Sequence, residues 1–230
     1  MKSHPSASMP ALHNLDLTRD SDTNSDASGD IARTVSTMGL QSMDDEFLEH
    51  APTVEPHTGY KKVLVTGGAG FIGSNVAEYL LERGDDVVIV DEINDYYDQK
   101  IKEGNLRLLQ RMVEGQEGRL TIYKGDICDE SFMLDMFEKE RPEWVCHMAA
   151  RAGVRPSIQD PFIYIHSNIR GTTNLMELCH KFGVQNFVFA SSSSVYGGSS
   201  STYFSEEENV DNPVAPSSAS KNSCDPFSSR

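Results

Sequence analysis

Val63-Leu-Val-Thr-Gly-Gly-Ala-Gly-Phe-Ile-Gly73 is the stretch that decides the fold of this chain of 230 residues. Its apolar start predicts a buried strand, and its glycines predict a tight turn into an amphipathic helix over residues 71–83. Gly67 permits the turn, Gly70 lets backbone N–H groups approach an anion, and Gly73 lets the helix lie close to the strand. Because unpaired amides and the positive end of the helix dipole face the same point, the stretch predicts a seat for a pyrophosphate.

A carboxylate follows the next strand. The apolar run over residues 86–90 ends in Asp91, 18 residues after Gly73. At this spacing a carboxylate can accept hydrogen bonds from both hydroxyls of an adenosine ribose and repels a 2′-phosphate, so the pattern favours NAD over NADP. The alternative is a solvated acid at a strand end. A nucleoside-triphosphate loop is excluded, because no Lys-Ser/Thr pair follows the last glycine.

Composition limits the partners. The net charge of −15 and the pI of about 4.8 argue against binding to nucleic acid or to an anionic membrane. The sequence has no apolar run of about 18 residues and no secretory signal near its start. The four cysteines form no CxxC pair, which favours reduced thiols in a cytoplasmic protein, and we expect no metal site.

The chain divides into three segments by composition. Residues 1–58 carry ten acidic residues against three basic ones, so we expect a disordered acidic tail, with at most a weak helix over residues 31–48. Residues 60–222 alternate strand and helix signals and form the expected NAD-binding domain. Residues 223–230 are expected to be an irregular C-terminal end, because Pro226 interrupts the helical pattern.

The alternation of signals predicts an α/β fold of the Rossmann type, a doubly wound parallel sheet with helices on both faces. The predicted strands are residues 61–66, 86–91, 119–124, 143–148 and 186–190. Helices are predicted over residues 71–83, 130–140 and 161–182. A further helix follows residue 98, with Ile101, Leu106, Leu109 and Val113 close to one face.

Ligands of such sheets bind outside the carboxyl ends of the strands. There Asp126 can reach an adenine amino group, and Ile127 can cover the adenine face. Ala149 and Ala150 are small enough for a nicotinamide ribose to lie against the backbone. His147 ends the same strand, where a buried core histidine is the favoured interpretation over an acid or base.

With these strand ends assembled, the chain resembles the extended short-chain dehydrogenase/reductase family, and within it the NAD-dependent sugar-nucleotide epimerases. The likeness rests on the glycine turn and on residues 94–98, 125–127, 152–155, 167–172 and 191–197. Asn94-Asp-Tyr-Tyr-Asp98 and Ala152-Gly-Val-Arg155 are similar to stretches of UDP-glucuronate 4-epimerases. The resemblance implies NAD as the cofactor, a UDP-sugar as the substrate and a homodimer as a possible oligomeric state.

The reaction that the resemblance implies is an oxidation and reduction at one carbon. A tyrosinate removes the 4-hydroxyl proton of UDP-glucuronate, and a 4-keto intermediate turns over before it is reduced to UDP-galacturonate. By resemblance, Ser192 is the hydroxyl donor to the 4-oxygen, and Lys221 is the lysine that lowers the pKa of the base. Asn168 resembles the structural amide of the family.

The remaining site residues are also implied by resemblance. Phe71, Ile72 and Ser167 are expected at the cofactor, and Ser193, Ser194 and Arg155 at the substrate. As an unassisted interpretation, Arg155 could equally be a solvated loop residue.

The sequence departs from the family at one catalytic position. Ser217 stands where the family has tyrosine, four residues before Lys221. A serine hydroxyl has a higher pKa and a shorter reach than a phenol, so it cannot act as an equivalent base. A literal Tyr-x-x-x-Lys occurs at Tyr96–Lys100, but it follows the second strand, beside the adenosine ribose, and we reject it as the catalytic pair.

The sequence is therefore compatible with three functions. The first is a sugar-nucleotide 4-epimerase, and the second is an NAD-binding or truncated product without activity. A sugar-nucleotide dehydratase or reductase comes third, since no acid stands between Asp211 and Lys221. The resemblance also implies that family members continue for about another domain after the lysine, which supplies a sugar-binding lobe. We therefore expect the fold to lack this C-terminal substrate lobe and most contacts to the uridine diphosphate, with an exposed apolar patch and a tendency to aggregate.

Overall fold

The computed structural model describes residues 59–199, 203–205 and 208–224. The expectations for residues 1–58, including the weak helix over residues 31–48, lie outside these ranges. So does the expectation of an irregular end, apart from residues 223 and 224.

Five parallel strands form one sheet in the order β3-β2-β1-β4-β5. The strands are β1 (Lys62–Thr66), β2 (Asp86–Asp91), β3 (Leu120–Lys124), β4 (Trp144–His147) and β5 (Asn186–Phe189). They lie within one residue of the predicted bounds at each end. The predicted α/β fold is therefore confirmed. The three central strands contain buried residues, whereas the residues of β3 and β5 are at most partly buried, so the apolar content of the outer strands gave their signal.

Helices cover both faces of the sheet. They are α1 (Phe71–Arg83), α2 (Gln99–Met112), α3 (Glu130–Glu140), α4 (Val154–Gln159), α5 (Pro161–Tyr164), α6 (Gly171–Phe182) and α7 (Pro216–Asn222). A π-helical turn (Ile165–Arg170) joins α5 to α6, and a 3₁₀ turn (Ser193–Tyr196) follows β5. In the described residues, no helix is long and apolar enough to cross a membrane.

Alternate residues of the central strands form two separate cores. Val63 and Val65 of β1 pack with α1 and α2 on one face, whereas Leu64 packs with α3 and α6 on the other. All three side chains are at most 3% exposed. Burial on both faces explains why β1 is continuously apolar, and it fixes the strand from which the glycine turn projects.

The predicted helix over residues 161–182 is wrong as a single α-helix. The structure divides it into α5, the π-helical turn and α6, and it adds the short helix α4 before it. A π-helical turn inserts one residue into the repeat, and the apolar spacing alone did not reveal it. Gly183 ends α6 in the left-handed conformation, which favours glycine.

The predicted apolar face of α2 is partly wrong. Ile101 is 56% exposed, and Lys102 takes its place beside the buried Leu106 and Leu109. The spacing of residues 102, 106 and 109 follows the helical repeat better than that of 101, 106 and 109. The buried position of Lys102 was not predicted, because a charged residue is rarely found on the buried face of a helix.

Burial decreases across one row of the sheet. Ile89, Val65, Cys146 and Val188 are paired in register on four adjacent strands and therefore share a face. Ile89 and Val65 are fully buried, Cys146 is half-buried, and Val188 is 52% exposed. This face is thus open at β5, the last strand in the described part of the chain.

Candidate functional site

The glycine turn after β1 is held closely between β2 and β4. The Gly67 amide donates to the Val90 carbonyl at 2.8 Å, and a Cβ on Gly67 would lie 2.8 Å from the Ala149 backbone. Gly67 also has a φ of +69°, which favours glycine. A Cβ on Gly73 would overlap the Gly67 carbonyl oxygen, so the start of α1 must remain free of side chains here.

Asp91 is tied to this turn. Its Oδ2 accepts from the Ala69 amide at 3.0 Å, and its Oδ1 accepts from the Ile93 amide at 2.8 Å. The residue is only 8% exposed. The carboxylate is therefore held at the mouth of the turn, where its second lone pairs can accept from a ligand's hydroxyl groups.

A cleft of about 700 Å³, open to solvent, runs along the carboxyl ends of the central strands. Eight of the residues expected at the cofactor line it: Gly67, Gly70, Asp91, Asp126, Ile127, Ala149, Ala150 and Ser167. A side chain on Gly70 would reach into the mouth, where the N-terminal amides of α1 lie. The cleft therefore combines an anion-binding turn that carries no side chains with a carboxylate on one side and small residues on the other. This arrangement is suited to a dinucleotide.

Asp126 lies at the β3 end of the cleft. Its Oδ1 accepts from the Cys128 amide at 2.8 Å, and its Oδ2 lies 3.0 Å from Nε2 of His166. Burial raises the pKa of Asp126, but these contacts outweigh burial and leave its pKa below the ordinary value. The carboxylate therefore stays ionised as an acceptor near neutral pH.

The cleft is also lined by residues that were not predicted at the cofactor, among them Glu92, Tyr97, Lys102 and Arg151. Lys102 Nζ donates to Asn94 Oδ1 at 2.8 Å and lies 3.9 Å from Asp91 Oδ1. Arg151 Nη2 pairs with Glu92 Oε2 at 2.9 Å. The helical spacing of Lys102 was a usable signal, whereas the position of Arg151 depends on how two loops meet.

His147 is a structural residue, as the favoured interpretation predicts. Its Nδ1 lies 2.6 Å from Thr66 Oγ1, and its Nε2 lies 2.8 Å from Thr172 Oγ1. Burial, with a smaller contribution from the Lys221 charge, lowers the pKa of His147 to about 3. The ring is therefore neutral and fully hydrogen-bonded, and it does not face the cleft.

The positions expected to carry catalysis lie beside the cleft, near the end of β5. Lys221 is buried in α7, and its Nζ donates to the Ala190 carbonyl at 2.7 Å. Ser217 is one helical turn earlier and 8% exposed, and its Oγ has no hydrogen-bond partner in the described part of the chain. Ser192 Oγ accepts from the Ser194 amide at 3.2 Å and so caps the 3₁₀ turn.

Other expected residues lie elsewhere. The side chains of Phe71 and Ile72 are 80% and 62% exposed and do not line the cleft, so only their backbone can face it. Arg155 is exposed in α4, and Ser193 is exposed in the 3₁₀ turn. Tyr96 of the rejected Tyr-x-x-x-Lys pattern donates to the Ala152 carbonyl at 2.7 Å, a contact between two loops.

Comparison with known proteins identifies the family. Residues 64–228 match the family model for GDP-mannose 4,6 dehydratase. The chain is 44% identical to a UDP-glucuronate 4-epimerase of Thermodesulfobacterium geofontis over 158 residues, which cover 69% of this chain and 47% of that protein. It is 43% identical to the protein CapI of Staphylococcus aureus, covering 70% of this chain and 47% of that one. The chain thus spans about half the length of these curated relatives.

Solved structures agree with this assignment. A UDP-glucose 4-epimerase of Thermus thermophilus in complex with NAD is 33% identical, with a TM-score of 0.61 over 73% of this chain and 50% of that one. The enzyme of Bifidobacterium longum in complex with NAD+ and UDP is 30% identical, with a TM-score of 0.64 over 73% of this chain and 48% of that one. Since the family model matches more than half of its residues, the chain belongs to the GDP-mannose 4,6-dehydratase family of NAD-dependent sugar-nucleotide epimerases and dehydratases.

Proposed function

We propose that this chain binds NAD along the carboxyl ends of its strands, as the dinucleotide-binding part of a UDP-glucuronate 4-epimerase. The observation that carries the proposal is the contact of the Asp91 carboxylate with the Ala69 amide at the mouth of the glycine turn. It places a ribose acceptor beside an anion seat, as a dinucleotide requires. Solved relatives whose titles name NAD support the same cofactor.

The same carboxylate sets the choice of cofactor. A 2′-phosphate would lie against the Asp91 carboxylate, whereas free ribose hydroxyls can donate to it. The test is a competition titration of the full chain with NAD and NADP, followed by intrinsic fluorescence. We expect NAD to bind at least tenfold more tightly, and equal affinities would contradict the role of Asp91.

The substrate class is proposed from the relatives and from two sequence stretches. UDP-glucuronate 4-epimerases of Thermodesulfobacterium geofontis and Arabidopsis thaliana are 44% and 43% identical to this chain. The stretches over residues 94–98 and 152–155 resemble the same enzymes. Ser193, Ser194 and Arg155 are the side chains that we assign to the sugar nucleotide.

Each catalytic position has a separate task in this proposal. When bound, NAD supplies the acceptor for the hydride that leaves the 4-carbon of the sugar, and the hydride is then returned to that carbon. Ser192 would donate a hydrogen bond to the 4-oxygen, and the Lys221 ammonium would favour an anionic base beside it. That base is absent, because the Ser217 hydroxyl is a poor proton acceptor at neutral pH.

A second candidate function is favoured by Ser217: an NAD-binding protein without turnover. A chain with an intact dinucleotide cleft but no phenol at position 217 can hold the cofactor. It cannot remove the 4-hydroxyl proton of the sugar efficiently. The two candidates differ only at the catalytic step, so one assay separates them.

The assay follows the interconversion of UDP-glucuronate and UDP-galacturonate by chromatography, with NAD binding measured on the same samples. We expect no turnover by the wild-type chain. Ser217→Tyr is expected to restore activity, and Ser217→Tyr with Lys221→Met is expected to lose it again. Turnover by the wild-type chain would contradict our assignment of Ser217. An inactive Ser217→Tyr that still folds and binds both NAD and UDP-glucuronate would contradict the epimerase proposal.

A further inference from the structure

Arg151 is fixed at the end of β4 by a buried amide. The Arg151 amide donates to Asn168 Oδ1 at 2.8 Å, and Asn168 Nδ2 donates back to the Arg151 carbonyl at 3.1 Å. Asn168 is 2% exposed and also donates to Ser220 Oγ of α7 at 2.9 Å. The backbone at Arg151 is therefore held from both sides, and its side chain starts from a defined point.

The side chain of Arg151 lines the same cleft as the glycine turn. Its guanidinium pairs at 2.9 Å with Glu92, which directly follows β2. Gly67 and Gly70 line this cleft together with both partners of the ion pair. The loop that carries Arg151 also lies against the turn, because a Cβ on Gly67 would be 2.8 Å from the Ala149 backbone. The guanidinium is therefore in the cleft into which the glycine turn opens.

The charged residues of the cleft also indicate that Arg151 is the cation available to a ligand. Asp91, Glu92 and Asp126 line the cleft on the acidic side, with Lys102 and Arg151 as its cations. Lys102 is committed to Asn94 and Asp91, both of which are less exposed than Glu92. Lys102 is therefore poorly placed to neutralise a ligand that carries two negative charges.

Arg151 has the more exchangeable partner. Glu92 is 45% exposed, so water can solvate its carboxylate when the arginine leaves, whereas the Arg151 side chain is 12% exposed. Glu92 also accepts from Asn94 Nδ2 at 3.0 Å, so it keeps a partner if the arginine leaves. In the described part of the chain, Nη2 is the guanidinium nitrogen with a protein acceptor, which leaves the other donors of Arg151 for a ligand.

We propose that Arg151 is a diphosphate-binding residue that exchanges Glu92 for the pyrophosphate of the dinucleotide. This inference rests on the proposed function and adds a cationic contact to the amides of α1. A guanidinium matches two phosphate oxygens with parallel N–H groups, which a lysine cannot do. Asn168 is a positioning residue, because it holds the Arg151 peptide.

The test compares the affinity of NAD for four forms of the full chain by calorimetry: wild type, Arg151→Gln, Arg151→Lys and Glu92→Gln. We expect Arg151→Gln to weaken NAD binding about tenfold or more. Arg151→Lys should lose less, and Glu92→Gln should bind NAD as tightly as the wild type or more tightly. The opposite effects of the two partners identify a ligand contact, since a purely structural ion pair would weaken binding equally from either side.

A second probe locates the effect at the phosphates. Arg151→Gln should weaken ADP binding but leave adenosine binding within about twofold of the wild type. Arg170→Gln is the matched control, because Arg170 pairs with Glu130 at 3.4 Å on the surface and does not line the cleft. Its affinity for NAD should not change.

Several results would overturn the inference. Equal NAD affinities of the wild type and Arg151→Gln would do so alone, and so would equal losses in Arg151→Gln and Glu92→Gln. If Arg151→Gln does not fold, Arg151→Lys decides, because unchanged binding of NAD and ADP by that variant excludes a bidentate contact. A folded wild-type chain that binds no NAD would overturn the proposed function together with this inference.

Discussion

At the scale of single residues, His147 shows how burial removes a group from chemistry. Its two nitrogens are satisfied by Thr66 and Thr172, and a proton would place a second charge near Lys221. A histidine at a strand end close to a cofactor cleft could have been an acid or base. Here its pKa of about 3 makes it a neutral part of the core near neutral pH.

The lowered pKa of His147 predicts a dependence of stability on pH. Between its folded pKa of about 3 and its unfolded pKa of 6.5, the unfolded chain binds a proton that the folded chain does not. The free energy of unfolding should therefore be highest above pH 6.5 and fall as the pH decreases, by up to about 1.4 kcal/mol per pH unit. Urea unfolding at several pH values would measure this for the wild type and for His147→Gln. We expect a smaller slope in the variant, and equal slopes would contradict the assignment.

At the scale of elements, the strand, turn and helix at the start of the domain depend on Gly73. A Cβ there overlaps the Gly67 carbonyl, so Gly73→Ala must displace α1 from the turn. We expect a loss of about 1–3 kcal/mol in the free energy of unfolding. Gly104→Ala in α2 is the matched control, because its Cβ meets only the far end of Arg107 at 4.0 Å. It should stabilise the chain by about 0.5–1 kcal/mol, and similar effects in both variants would contradict this account of the turn.

The strands and helices also show how much of the fold could be predicted from the sequence. All five strands were predicted because each contains several apolar residues, even in β3 and β5, where no residue is buried. The predicted bounds of α1 and α3 are those that the structure has. The π-helical turn was missed, since a one-residue insertion hardly alters the apolar pattern of a helix. Eight residues that we predicted at the cofactor line the same cleft, and their role stays a prediction. Arg151 also lines the cleft but was not predicted, because its side chain is oriented by an ion pair with another loop.

At the scale of the molecule, the sheet face at β5 is less well covered than the centre. Val188 is half-exposed beside Cys146, on a strand that is an edge within the described residues. The exposed apolar patch expected from the sequence stays a prediction, and β5 is where we test it, because edge strands promote association. We expect Val188→Lys to raise the temperature at which light scattering begins. Ile101→Lys on the exposed side of α2 should have little effect, and an equal gain from both would contradict a special role for β5.

The central claim is that the glycine turn and Asp91 together hold a dinucleotide. The most direct measurement is a calorimetric titration of NAD into the folded full-length chain, repeated with Gly70→Val. Gly70 has a φ of −74°, which valine can adopt, but a Cβ there would lie 3.2 Å from the Gly67 carbonyl oxygen and 3.4 Å from the Tyr97 hydroxyl, so the side chain would crowd the mouth of the turn. We expect one NAD per wild-type chain and at least a tenfold loss of affinity in the variant, measured below its unfolding temperature. No heat of binding with the folded wild type, or the same affinity in Gly70→Val, would contradict the account.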